Sequence, residues 1–141
     1  MQSLSRMTAT LEEYLEKGSP MPEPAGSRPV QVTIHADDVP KAVSFYTHVL
    51  DAEFNEAISS FQFGAWNTDS FFLVTIEQAP PEHRGPRRSY LGFFVDDLDA
   101  IHRRALDAGA TEVHPPMEFE WKPRTSLIDD PSGNRISLTQ R

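Results

Sequence analysis

VQVTIHADDVPKAVSFYTHVLDAEF, residues 30–54, is the stretch whose reading decides the fold. Val30, Val32 and Ile34 alternate with Gln31, Thr33 and His35, the period of a strand buried on one face. Asp37 and Asp38 stand where a helix start needs side-chain acceptors, and Pro40 is tolerated in its first turn. Ala42, Val43, Phe45, Tyr46, Val49 and Leu50 then give the helix a broad apolar stripe. The same order returns as YLGFFVDDLDAIHRRALDAGATEV, residues 90–113. Here Leu91, Phe93 and Val95 alternate with Tyr90, Gly92 and Phe94. Asp96 or Asp97 caps a helix carrying Leu98, Ile101, Ala105 and Ala108, and Gly109 ends it. A strand–helix unit repeated in this way is a fold-level signal, because similar half-units bury their apolar faces against each other.

Strand candidates follow each unit: 53–58, 61–65 and 71–77 after the first, 112–114, 125–128 and 135–139 after the second. The turn DPSGN joins the last pair, with Gly133 or Asn134 supplying the positive φ it needs. The element order is therefore βαβββ twice, an α+β domain over residues 30–141 with modules at about 30–80 and 89–141. QAPPEHRGPRRS, with its prolines and charges, links them. Residues 1–29 read as an N-terminal helical arm and linker. Thr10 and Glu13 have capping-box spacing, Leu11, Tyr14 and Leu15 make a short apolar face, and SPMPEPAGSRP is an extended connector. A frayed tail and an arm that covers a cavity or packs on a partner both remain open.

At 141 residues the chain supports a core without staples. It has no cysteine, which excludes zinc–thiolate sites, thiol nucleophiles and disulfides. A net charge of -8 argues against a nucleic-acid partner, whose phosphates need clustered Lys and Arg. No apolar run approaches the roughly 20 residues of a membrane span, and the N-terminus lacks a secretory pattern. The expectation is a cytoplasmic protein with no nucleic-acid or membrane partner.

DDVPKAVSFYTHVL, its echo VDDLDAIHRRALDAGA and the closing DPSGNRISL resemble the vicinal oxygen chelate superfamily, which includes glyoxalases, extradiol dioxygenases and bleomycin resistance proteins. The resemblance covers both half-units. It implies curved sheets around a cavity, with a helix outside each. Asp51 departs from the glycine usual after the first helix, but aspartate tolerates the left-handed conformation. In metal-dependent members, ligands come from the first and last strands of each module. By motif those positions are Gln31, a residue near Val74, Tyr90 and Ser137, with Glu77 as a substitute if the register shifts. Tyr90 and Ser137, a phenol and an alcohol, are poor ligands beside imidazole and carboxylate, so the expectation is no metal and no other cofactor.

What the resemblance leaves is a ring-lined cavity. Gln31, Thr33, Tyr90, Phe94 and Ser137 are expected to face it, with Trp121 and Arg124 bordering it as a similar segment does in bleomycin resistance proteins. Glu118 and Glu120 beside Trp121 would suit a cationic aromatic guest. His35 is the candidate for acid–base work, since imidazole titrates near neutrality. Three functions follow. One is a metal-independent binding protein, a homodimer that sequesters an antibiotic or secondary metabolite. Another is a metal-dependent lyase, isomerase or dioxygenase like the glyoxalases. The third is a metal-free enzyme moving a proton on a small carbonyl compound through His35 or Tyr90.

Overall fold

The computed structural model describes residues 27–83, 90–120 and 122–141. The expected helix of the N-terminal arm lies outside the described residues, as does Trp121. The first module runs β1 (Gln31–Ala36), α1 (Val39–Leu50), β2 (Phe54–Asn55), β3 (Ser60–Phe63) and β4 (Phe72–Gln78). After a short 3-10 turn, Pro81–His83, come β5 (Tyr90–Val95), α2 (Leu98–Asp107), β6 (Thr111–Phe119), β7 (Lys122–Asp129) and β8 (Arg135–Gln140). Each module is one four-stranded sheet, ordered β1-β4-β3-β2 and β5-β8-β7-β6. The order βαβββ is present twice. The sheets are curved and unclosed.

Local chemistry explains the helix ends. Asp38 and Asp97 each accept a hydrogen bond from the backbone three residues on, at Lys41 and Ala100. Asp51 takes the left-handed conformation, φ 52°, that closes α1, and Gly133 supplies the positive φ of the DPSGN turn. Two strands differ from expectation. β2 shrinks to Phe54–Asn55, and β6 runs on past His114, where the expected strand ends, to Phe119. Pro115 and Pro116 cannot donate to a ladder, so the pairing with β7 shifts between His114 and Met117. β6 tolerates this because it is an edge strand.

One core serves both modules. Ile34, Ala36, Phe45, Tyr46, Phe61, Val74 and Ile76 from the first join Leu98, Ala105, Ile128, Ile136 and Leu138 from the second. Phe63 and Phe93, on the core sides of their sheets, meet at 6.2 Å between ring centroids, and α1 touches α2. The polar lock beside this core is the DPSGN turn. Buried Asp130 accepts from Tyr46 Oη at 2.5 Å, while Asn134 Nδ2 donates to Asp130 and to the His35 carbonyl, both at 3.0 Å. The Asp37 amide donates to Ser132 Oγ at 3.1 Å. A second buried cluster is internal to one module. His102 of α2 bridges Ser126 Oγ (2.9 Å) and Glu112 Oε1 (2.7 Å). It has the members of a nucleophilic triad, but Ser126 is fully buried under the helix, so it holds α2 onto β6 and β7 and admits no substrate.

Candidate functional site

With one face of each sheet covered by a helix, chemistry is left to the other face. On β1 that open face carries Gln31, Thr33 and His35, as the alternation predicts, and none of these side chains belongs to the core. Parallel pairing sets Gln31 beside Leu73, Thr33 beside Thr75 and His35 beside Glu77. Val74 is on the opposite side and is buried in the core, so the position near Val74 proposed from sequence belongs to Thr75. A polar chain runs across the sheet from there. Gln31 Nε2 donates to Thr75 Oγ1 at 2.7 Å, Thr75 meets Ser60 Oγ at 2.7 Å, and Ser60 donates to the Ile58 carbonyl at 2.8 Å. Because Ser60 spends its proton on Ile58, the shared hydrogen in the middle bond comes from Thr75.

The open face of the second module is aromatic. Tyr90 and Phe94 are 62% and 70% exposed, a large apolar area for a protein to leave in water. Gly92 lies between them, and β8 pairs with this strand as Tyr90–Arg135, Gly92–Ser137 and Phe94–Thr139. Arg135 makes two bonds to Asp129, at 3.0 and 3.3 Å, and these raise its already high pKa, first through hydrogen bonding. The structure thus brings Tyr90, Phe94 and Ser137 together on one face, and Gln31, Thr33 and His35 on another. The hydrogen bonds and ring contact described between the modules use α1, β1, the DPSGN turn, Arg104, Phe63 and Phe93. None of them joins the two open faces.

Arg124 is not on either open face. It grips Asp99 of α2 through two hydrogen bonds, 2.8 and 2.9 Å, on the helix side of β7. That bond is the first cause of the lowered pKa of the Asp99 carboxyl. Alternation along β7 carries the signal: Arg124 shares its parity with Ser126 and Ile128, both buried against the helix. Two residues that matter on the open faces, Thr75 and Gly92, were missed as site residues. Thr75 was visible only through the β4 register, and Gly92 was passed over because it offers no functional group.

A family model for the Glyoxalase/Bleomycin resistance protein/Dioxygenase superfamily matches residues 28–138. The chain belongs to that superfamily. Solved structures with the same fold include TnmS3, an antibiotic binding protein from Streptomyces sp. CB03234. It has TM-score 0.59 and 22% identity, over 84% of this chain and 98% of that one. TioX from Micromonospora sp. ML1 gives 0.54 and 20% over 81% and 98%. A glyoxalase-related enzyme from Fulvimarina pelagi gives 0.60 and 13% over 82% and 88%. At such identities these likenesses establish the fold alone. Among curated proteins no sequence match is found.

Metal-dependent members of the superfamily raise the question of a cation. The positions matched to their ligands by motif, with the β4 register corrected, hold Gln31, Thr75, Tyr90 and Ser137, with no imidazole or carboxylate among them. The Gln31 amide is drawn toward Thr75, and alcohols and phenols bind divalent ions weakly while protonated. Among the described residues no group of three His, Asp or Glu side chains comes together. This donor set does not fit a divalent cation. No helix among the described residues is long and apolar enough to cross a membrane.

Proposed function

We propose that this superfamily member is a metal-independent small-molecule binding protein that sequesters an aromatic antibiotic or secondary metabolite in the cytoplasm. One observation carries the reading: Tyr90 and Phe94 stand exposed beside the Ser137 hydroxyl, a pair of strands that offers rings and alcohols and no imidazole or carboxylate. Exposed rings cost free energy in water and return it when they stack on a guest. Gln31 and Thr33 offer a polar wall. The antibiotic-binding role of TnmS3, which shares the fold, supports this class of ligand.

A homodimer completes the site in this reading. Each chain carries a polar face and an aromatic face that the described hydrogen bonds and ring contacts do not join, and a two-fold pair would close the first over its partner's second. The test is equilibrium binding of a panel of aromatic natural products to the full chain, before and after EDTA treatment, with light scattering in parallel. We expect unchanged affinity after EDTA, about ten-fold weaker binding for Phe94→Ala (about 1.4 kcal/mol), and a dimeric mass. Stoichiometric divalent metal whose removal abolishes binding would overturn the metal-independent reading, and a strictly monomeric mass would overturn the dimer.

A second reading has its own observation. His35 lies on the open face with Glu77 as its register partner, so an imidazole and a carboxylate share one stretch of sheet. Proton transfer on a small carbonyl compound would then run through His35. His35→Ala that still binds ligand but no longer converts it would favour this alternative, and unchanged ligand recovered from the native chain would remove it.

A further inference from the structure

Tyr90, Gly92 and Phe94 follow one another along the open face of β5, and the middle position has no side chain. A Cβ built there would stand 2.8 Å from Ser137 Oγ, so glycine is what leaves the floor open. The outcome is a trough with a ring at each end and the Ser137 and Thr139 hydroxyls along one side. It adjoins a cavity of about 240 Å³ lined by Gly92, Phe93, Phe94 and Thr139. Alternate residues on a strand are about 6.6 Å apart. A flat ring centred over Gly92 therefore falls within the roughly 4.5–7 Å at which aromatic pairs attract, on both sides at once.

The surrounding charge decides which ring. Arg135, the register partner of Tyr90, is neutralised by its paired bonds to Asp129. Thr139 and Thr125 hydroxyls meet at 3.3 Å. Among the described hydrogen bonds none engages the Ser137 hydroxyl, which is left to meet an edge atom of a guest.

We propose that the Tyr90–Gly92–Phe94 trough is the ring-recognition subsite, that it selects an uncharged flat aromatic with an oxygen or N–H at its edge, and that Gly92 determines this specificity. The proposal rests on the binding function above and names the class of its ligand. A side chain at position 92 would fill the floor and displace Ser137. A charged ring would find no uncompensated opposite charge among the side chains of β5 and β8 to offset its lost hydration.

The probes are 2-naphthol, 2-naphthalenesulfonate and 2-naphthyltrimethylammonium, one ring system in three charge states, titrated into the full chain by protein NMR. The naphthol is expected to bind with Kd on the order of 0.1–1 mM, as its few atoms allow. Its shifts should centre on Gly92 and Phe94, and both charged analogues should bind at least ten-fold more weakly. Gly92→Val should weaken the naphthol ten-fold or more. Phe94→Ala, which removes an exposed ring and leaves the core intact, should do so with an unchanged thermal midpoint. Equal affinity for all three charge states, or naphthol binding untouched by Phe94→Ala, would overturn the trough while leaving a binding protein with its site elsewhere. Silence of all three probes at about 2 mM would also overturn the trough, and the natural-product panel would then decide the broader function by itself.

Discussion

Asp130→Ala is expected to destabilise the protein by about 4 kcal/mol and to lower the thermal midpoint by roughly 15 °C. The carboxylate is only 4% exposed and every lone pair direction is used. Oδ1 accepts the backbone amides of Ser132 and Asn134, both at 2.9 Å, and Oδ2 accepts Tyr46 Oη and Asn134 Nδ2. Alanine would strand those donors in a site that water does not reach, and each unsatisfied buried group costs about 1–3 kcal/mol. Partial relaxation keeps the total below the sum. The loss would fall on the joint between modules, since Tyr46 comes from α1 and Asn134 also holds the His35 carbonyl of β1. Asp129→Ala is the control: among the described residues its carboxylate bonds to half-exposed Arg135 alone, and its loss should change stability much less. Urea unfolding of both variants checks this, and a loss under about 1 kcal/mol for Asp130→Ala would show that the turn does not hold the modules together.

The second large effect is alkaline. Tyr46 is 1% exposed, and burial first, then the charge and hydrogen bond of Asp130, push its phenol pKa well above the usual 10.0. The folded protein keeps this proton where the unfolded chain has lost it. Above pH 10 the unfolded state therefore binds fewer protons, and stability falls as pH rises. Below pH 10 both states are protonated and the full contribution is present. Urea titrations should show stability falling by up to about 1.4 kcal/mol per pH unit above 10. Tyr46→Phe will be less stable at neutral pH, because Asp130 loses a donor, yet its stability curve should lack that alkaline slope. An equally steep loss in Tyr46→Phe would place the alkaline transition on another group.

Which of the candidate residues share a face was legible, and the limits of that legibility have a pattern. Gln31, Thr33 and His35 fall on one open face, and Tyr90 and Phe94 on another, because alternation along a single strand fixes them. Arg124 was misplaced because its position was inferred from a neighbouring motif, although the parity of its own strand sets it against Asp99. The position near Val74 stays open in the sequence for a narrower reason. Strand β4 is apolar over most of its length, so periodicity does not choose between Val74 and Thr75, and only pairing with β1 does.

The sequence by itself determined the paired βαβββ order, an aspartate cap at 37–38 and another at 96–97, the tolerance of Asp51 for a left-handed stop, and the DPSGN turn. These depend on residues within a turn or two of one another, where backbone geometry and side-chain period act without help from the rest of the chain. Tertiary structure decided that the DPSGN turn is also the joint between modules, through Tyr46 and Asp130, 84 positions apart. It likewise decided that an unremarkable glycine opens a gap between Tyr90 and Phe94 with Ser137 beside it. Contacts between such distant residues depend on how the curved sheets and their helices pack in space, which the local pattern of either partner does not contain.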